Sequence, residues 1–168
     1  MKTVIAASAA LTLFAAPAMA AEYATIEMEL DVDVSAEALW EAVGDYCDIA
    51  EWGGLACEIT AGENNEVGAV RTLTAGPATI EEILIGKTEL SYGYAQPAVE
   101  GRFYDLYHGF MEARPTGENT SKIVYTLMYD VSNLEDQAAK DENLARRRTL
   151  FEGMLVNMKN IAEGNSPE

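Results

Sequence analysis

Residues 134–163, LEDQAAKDENLARRRTLFEGMLVNMKNIAE, are the stretch that decides the fold. The stretch has no proline and one glycine, and its apolar residues recur every three to four positions, apart from a seven-residue gap that spans Arg147 and Arg148. This spacing predicts one long amphipathic helix. Because no segment from about residue 55 up to this helix has a comparable helical pattern, we expect its apolar stripe to pack against strands. The stripe consists of Leu144, Phe151, Leu155, Met158 and Ala162, flanked by Leu150, Met154 and Ile161.

Alternating apolar and polar residues before this helix predict strands. The first run, residues 23–34, has apolar residues on one face and acidic residues on the other. Two short helices are then predicted, one over residues 36–43 with Ser35 as its N-cap and one over residues 46–52. Six more strands follow at residues 55–61, 67–75, 78–85, 88–95, 104–114 and 122–131. The order predicts an α+β fold in which a curved antiparallel sheet of about seven strands wraps around the long C-terminal helix.

Residues 1–20 have the form of an export signal. Lys2 precedes an apolar run, and Ala18-Met19-Ala20 has the small-x-small pattern that signal peptidase cleaves. The run is too short for a membrane-spanning helix, and no later segment could span a bilayer, so we expect no stable membrane insertion. The sequence therefore predicts a signal peptide cleaved near Ala20, a single domain over residues 21–168, and a periplasmic or secreted location.

The chain is strongly acidic. It has 28 acidic residues against 11 basic ones, and loss of residues 1–20 removes one of the basic ones, Lys2, for a net charge of about −18. Such a surface repels the phosphates of nucleic acids, which excludes them as partners. The basic cluster Arg146, Arg147 and Arg148 lies among acidic neighbours on the predicted helix. We interpret this cluster as ion pairing on the helix surface rather than as an anion site.

Cys47 and Cys57 are the two cysteines of the chain. In an exported protein such a pair predicts a disulfide. A metal site or a catalytic thiol is disfavoured because His108 is the single histidine, and strand alternation places it on the outer face of the sheet. We predict no metal, no cofactor and no catalytic residue.

Five short motifs follow one another along the chain in an order and spacing that can be compared with known families. They are Leu39-Trp40, residues 46–52 (YCDIAEW) with Cys57, Gly68-Ala69-Val70-Arg71, Glu81-Glu82-Ile83-Leu84, and Gly153 with Leu155. In this order and spacing they resemble the START/Bet v 1-like (SRPBCC) superfamily, in particular its polyketide cyclase/dehydrase-like branch. The resemblance covers essentially all of the chain after residue 20. It implies a helix-grip fold, with an apolar cavity for a small ligand between the sheet and the long helix.

Strand alternation predicts which side chains face that cavity. Arg71 and Glu81 are the sharpest candidates, because a charge on the concave face must be paired or must meet a polar group of a ligand. They would bind a ligand, pair with each other or lie at the rim, and a ligand with one carboxylate or hydroxyl on an apolar body would suit Arg71. The full predicted ligand-binding set is Arg71, Leu73, Glu81, Tyr107, Tyr125, Tyr129, Met154 and Met158.

Three functions fit this sequence. The leading hypothesis is an exported protein that binds or carries a small hydrophobic molecule, such as a lipid or an aromatic, polyketide-like metabolite. The sequence does not indicate any protein partner. The second is a cyclase or dehydratase that uses Arg71, Glu81 and cavity tyrosines, although no histidine is expected to face inward to act as an acid or base. The third is an interaction module whose cavity is collapsed.

Overall fold

The computed structural model describes residues 21–167, so the predicted signal peptide lies outside the described residues. The elements follow the order β1 (Tyr23–Val32), α1 (Ala36–Val43), α2 (Ile49–Trp52), β2 (Ala56–Ala61), β3 (Val70–Ala75), β4 (Ala78–Lys87), β5 (Ser91–Gln96), β6 (Tyr107–Gly117), β7 (Thr120–Asp130) and α3 (Gln137–Ala162). The predicted element order is confirmed, including the two short helices after the first strand.

One antiparallel sheet contains all seven of these strands, in the spatial order β1-β7-β6-β5-β4-β3-β2. Strands β2 to β7 each pair with their neighbours in sequence, and β1 joins the far edge by pairing with β7. The long helix α3 packs on the inner face of this sheet and contacts β1, α1 and α2. It buries Phe151, Met154, Leu155 and Met158. The arrangement is the predicted helix-grip fold.

Side-chain caps fix where α1 and α3 begin. The Ser35 hydroxyl accepts a hydrogen bond from the Ala38 amide at 3.2 Å, which confirms Ser35 as the N-cap of α1. In α3 the Asp136 carboxylate accepts from the Ala139 amide at 2.9 Å. Helix α3 therefore begins at Gln137, three residues later than the apolar pattern predicts, because that pattern carries no information about the cap.

The connection between β5 and β6 is longer than predicted. Strand β6 begins at Tyr107 and not at Tyr104, so residues 97–106 run outside the sheet. At the other end β6 continues through Pro115 to Gly117, with a register shift between these two residues. Residues 101–104 of this connection line a cavity between the sheet and α3.

The predicted disulfide is present. Cys47 and Cys57 are bonded, with their Cα atoms 5.7 Å apart. The bond ties the turn before α2 to strand β2 and closes a loop that contains all of α2. A bond that closes so short a loop stabilises the fold by about 2–3 kcal/mol.

Asp48 lies inside this loop, and its environment favours the protonated form. Its Oδ2 accepts a hydrogen bond from the Asp45 amide at 2.8 Å. Burial raises the pKa of Asp48 to about 6, and the charges of Asp45 and Glu51 push it in the same direction against the effect of that hydrogen bond. An aspartate in an unfolded chain has a pKa of about 3.9. The fold therefore binds this proton more tightly than the unfolded chain does.

The contribution of Asp48 to stability should consequently depend on pH. Protonation stabilises the fold, so the contribution is present at low pH and is lost as the pH rises through about 6. Asp48→Asn removes this titration. The melting temperature of the variant, followed by circular dichroism, should rise relative to that of the wild type between about pH 4 and pH 7. Melting temperatures that stay a constant distance apart over this range would contradict the assignment.

Candidate functional site

A cavity of about 570 Å³ lies between the inner face of the sheet and α3. Its lining runs from the buried Tyr94 and Tyr107 to the exposed Gly101 and Leu150, so the cavity opens to the surface. The volume is within the range of about 300–1,000 Å³ that is typical of small-molecule sites. The fold therefore leaves a space of ligand size where the helix does not fill the sheet.

One wall of the cavity is apolar. It combines residues of α2 and the turn after it, the β3–β4 hairpin, and α3. These residues are Ile49, Leu55, Leu73, Ile80, Phe151 and Met154. Apolar side chains of this kind are suited to contact hydrocarbon or aromatic groups, because such contacts remove apolar surface from water.

The other wall is polar and comes mainly from β5, β6 and the connection between them. Its members are Glu82, Gln96, Arg102, Tyr104, Tyr107 and Arg147. The Gln96 amide donates to Glu82 Oε1 at 2.8 Å, and the Tyr104 hydroxyl donates to Gln96 Oε1. Arg102 donates to the Tyr104 hydroxyl at 3.4 Å. These bonds make a continuous polar network from the inside of the sheet to the cavity mouth.

A buried ion pair lies behind this network. Arg71 is fully buried on β3, and its Nη2 and Nε lie 2.6 and 2.8 Å from Oε2 of Glu82 on β4. The same guanidinium donates to the Tyr46 carbonyl oxygen, and its Cζ lies 4.1 Å from the centre of the Tyr46 ring. Glu82 reaches the cavity, whereas Arg71 lies behind it and outside the lining. Arg71 is thus already paired and does not line the cavity.

The predicted inward placement of Glu81 is wrong by one residue. Glu81 is exposed, whereas Glu82 is 3% exposed and stands directly opposite Arg71 in the β3–β4 register. Alternation alone could not choose between them, because β4 carries apolar residues on both faces: Ile80 and Leu84 on the inner one, Ile83 and Ile85 on the outer one. The pairing register with β3 determines which glutamate faces inward, since directly opposed residues lie on the same face of the sheet, and Glu82 is the residue opposite Arg71.

Like Gln96, Arg102 and Tyr104, Arg147 lines the cavity although the sequence pattern did not predict it. Its Nη1 donates to the Tyr107 hydroxyl and its Nε to Asn143 Oδ1, both at 3.1 Å. Its Cζ lies 5.2, 5.0 and 4.8 Å from the ring centres of Phe103, Tyr107 and Tyr129. The surface-pairing interpretation holds for Arg148, which meets Glu152 at 3.4 Å. It is wrong for Arg147, and Arg146 is exposed but forms no ion pair with the described residues. The helical gap between Leu144 and Phe151 was the available signal, because Arg147 occupies that gap on the inner face of α3.

The remaining predicted residues divide into two groups. Leu73, Tyr107 and Met154 line the cavity, whereas Tyr125, Tyr129 and Met158 are buried beside it without lining it. The Tyr125 hydroxyl is 2.9 Å from that of Tyr94, and the Tyr129 hydroxyl donates to Asn143 Oδ1 at 3.1 Å.

Burial raises the pKa of the tyrosines on this side of the sheet. The effect applies to Tyr94, Tyr107 and Tyr125, and for Tyr107 the positive charge of Arg147 opposes it. These hydroxyls therefore remain protonated at neutral pH and can donate hydrogen bonds, which makes them unsuitable as bases.

Three further observations bound the chemistry. His108 lies on the outer face, in a depression lined by Ile85, Phe110 and Met128. Within residues 21–167, no group of three or more His, Cys, Asp or Glu side chains is arranged to hold a metal ion. In the same part of the chain, no helix is long and apolar enough to cross a membrane.

The architecture recurs in solved structures. A solution structure from Thermobifida fusca shares 20% identity, with a TM-score of 0.67 over 86% of this chain and 97% of that one. The crystal structure of Ara h 8.0201 shares 16% identity, with a TM-score of 0.64 over 86% and 100%. Truncated norcoclaurine synthase from Thalictrum flavum shares 17% identity, with a TM-score of 0.60 over 85% and 93%. At these identities the similarity shows the fold alone. No curated protein matches the chain significantly.

The sheet, the helix across it and the open cavity define a helix-grip protein of the START/Bet v 1-like class. The family model described as polyketide cyclase / dehydrase and lipid transport matches residues 23–163, nearly the whole described chain. The chain belongs to this family.

The placement of the two adjacent glutamates can be tested by stability. Glu82→Gln leaves the Arg71 charge buried without its counterion, so it should lower the free energy of unfolding by about 3 kcal/mol or more. Glu81→Gln removes the same charge at an exposed position and should change this free energy by less than about 0.5 kcal/mol. Urea denaturation of the two variants measures both values. Similar losses in the two variants would contradict the assignment of Glu82 as the partner of Arg71.

Proposed function

We propose that this protein is exported and binds or carries one small hydrophobic molecule in the cavity between the sheet and α3. The cavity of about 570 Å³ that opens to the surface is the observation that carries the proposal. Its apolar wall suits a lipid chain or an aromatic ring system, and its polar wall offers a few directed hydrogen bonds. Lipid transport is also part of the family description. An open cavity argues against an interaction module with a collapsed interior.

The ligand-contacting residues in this proposal differ from the set suggested by the sequence. Leu73, Tyr107 and Met154 keep their role as contacts. Four other residues of that set are buried behind the lining and support it without contacting the cavity: Arg71, Tyr125, Tyr129 and Met158. Glu82 replaces Glu81 as the carboxylate of the site.

An enzyme that uses the same cavity is the second candidate. The observation in its favour is Glu82, a carboxylate that reaches the cavity and could accept a proton. Against it stands the bonding of this carboxylate: Oε2 accepts two hydrogen bonds from Arg71, and Oε1 accepts one from Gln96, so both oxygens already have partners within the protein. A cyclase or dehydratase activity would also need an acid, and the cavity tyrosines are weak acids in this environment. Binding is therefore the better supported function.

Uptake of a neutral apolar fluorophore tests the binding proposal. N-phenyl-1-naphthylamine should bind the wild type with a stoichiometry of one and with an increase in its fluorescence. Leu73→Trp places a large ring in the cavity and should abolish this uptake. Thr74→Trp makes the same change at the next residue of β3, on the outer face, and should leave uptake intact. No uptake by the wild type, or equal uptake by the two variants, would overturn the proposal.

Mass spectrometry of the protein purified from its own host tests export. The chain should begin at Ala21 and carry the intact Cys47–Cys57 bond, as expected for a protein of an oxidising compartment. A chain that retains residues 1–20, with both thiols reduced, would contradict export. In the same experiment, native conditions would reveal any small molecule that copurifies with the protein.

A further inference from the structure

The two arginines that line the cavity lack carboxylate partners. Within residues 21–167, seven ion pairs bring a Lys or Arg within 4.0 Å of a carboxylate, and none of them includes Arg102 or Arg147. Lys87 and Arg146 lack such partners as well, but both are exposed, and water solvates them. Arg102 and Arg147 are only partly exposed, although the chain carries 28 acidic residues that could have paired with them.

The environment of Arg147 leaves its charge uncompensated. Its two acceptors, the Tyr107 hydroxyl and Asn143 Oδ1, are both neutral. Three aromatic rings lie within 5.2 Å of its Cζ and hold the guanidinium in place. A guanidinium has five N–H donors, and these two acceptors use two of them. Because a partly buried charge is costly without a partner, the site is suited to an anion that enters from the cavity.

Arg102 adds a second positive charge on the same side. It is anchored by the Thr79 carbonyl oxygen at 2.8 Å and reaches the Tyr104 hydroxyl at 3.4 Å. The rings of Tyr104 and Tyr107 lie 5.1 Å apart. Burial raises the pKa of the Tyr104 hydroxyl, while the charges of both Arg102 and Arg147 oppose that rise, as expected when both cations are near it.

Glu82 is a carboxylate of the cavity lining, but its ion pair is with Arg71 and not with Arg102 or Arg147. Its Oε2 is bonded to Arg71, and its Oε1 accepts from the Gln96 amide. The charge of Glu82 still acts on the cavity, where it raises the pKa of Tyr104 and Tyr107, but both carboxylate oxygens are already bonded to other residues. The cavity therefore has two positive charges near Tyr104, and apolar side chains make up much of the rest of its lining.

We propose that the cavity selects an amphipathic anion, an apolar molecule with one carboxylate-type head, and that Arg147 together with Arg102 binds this head. The apolar body then lies against Leu73, Ile80, Phe151 and Met154. The inference rests on the proposed binding function and adds the charge of the ligand to it. It also explains why a chain with a net charge of −17 has two partly buried arginines in its cavity that form no ion pair with a carboxylate of the described residues.

A matched pair of fluorophores tests the inference. 1-Anilinonaphthalene-8-sulfonate carries the same rings as N-phenyl-1-naphthylamine and differs from it by one sulfonate. Arg147→Gln and Arg102→Gln should each weaken binding of the sulfonate probe about tenfold or more, because each removes a charge-assisted hydrogen bond. Both variants should change the affinity for the neutral probe less than about twofold.

Arg148→Gln is the control. It removes the same charge from the next residue of α3, where the side chain is exposed and pairs with Glu152, so it reproduces any long-range effect of net charge. It should leave the affinity for both probes unchanged. Arg147→Lys keeps the charge and should restore part of the preference for the sulfonate probe.

The outcomes separate the two proposals. If the neutral probe binds and neither Arg147→Gln nor Arg102→Gln weakens the sulfonate probe beyond the Arg148→Gln control, the anion site is wrong and the binding function stands. If neither probe enters the wild-type cavity, the binding function itself fails. Thermal melting of each variant shows whether it is folded. Should Arg147→Gln unfold, the Arg102→Gln variant decides, since its side chain lies on the connection outside the sheet.

Discussion

The buried ion pair between Arg71 and Glu82 is the interaction on which this end of the molecule depends. A guanidinium without exposed surface is tolerable only with a counterion and further acceptors, and Glu82 and the Tyr46 carbonyl oxygen supply them. These contacts join β3, β4 and the segment before α2, and Gln96 extends them to β5. Because each element must hold its position to satisfy the charge, the pair fixes the frame around which the cavity forms. It also removes Arg71 from the set of residues that a ligand can reach.

A second constraint decides where the cavity lies. Gly109 on β6 has no Cβ, and a Cβ at that position would clash with the ring and the hydroxyl oxygen of Tyr94. The ring of Tyr94 therefore lies over β6 and reaches the hydroxyl of Tyr125 at 2.9 Å. Aromatic side chains fill the middle of the concave face in this way. The open space is left at the side of the β3–β4 hairpin and α2, where the facing side chains are shorter.

Much of this fold could be predicted from the sequence, because its signals are local. The helical period of α3, the alternation of β7 and the Ser35 cap all concern neighbouring residues. The candidate site was harder to predict. Alternation predicts the face on which a side chain lies but not how deeply it is buried. It therefore could not distinguish Tyr107, which lines the cavity, from Tyr125, which is buried beside it. The choice between Glu81 and Glu82 needed the register with β3. The role of Arg147 depended on Tyr107, which lies 40 residues away in the chain and which no local pattern connects to it.

The disulfide has a consequence beyond its effect on folding. Three residues that line the cavity, Ile49, Gly53 and Leu55, lie within the loop closed by Cys47 and Cys57. Reduction would restore conformational freedom to that loop, and the part of the cavity lining that the loop supplies would become mobile as well. By thermodynamic reciprocity, a ligand that binds more tightly to the closed loop makes the disulfide harder to reduce, to the same extent that reduction weakens the ligand. Binding of the proposed ligand and reduction of the disulfide are therefore coupled equilibria.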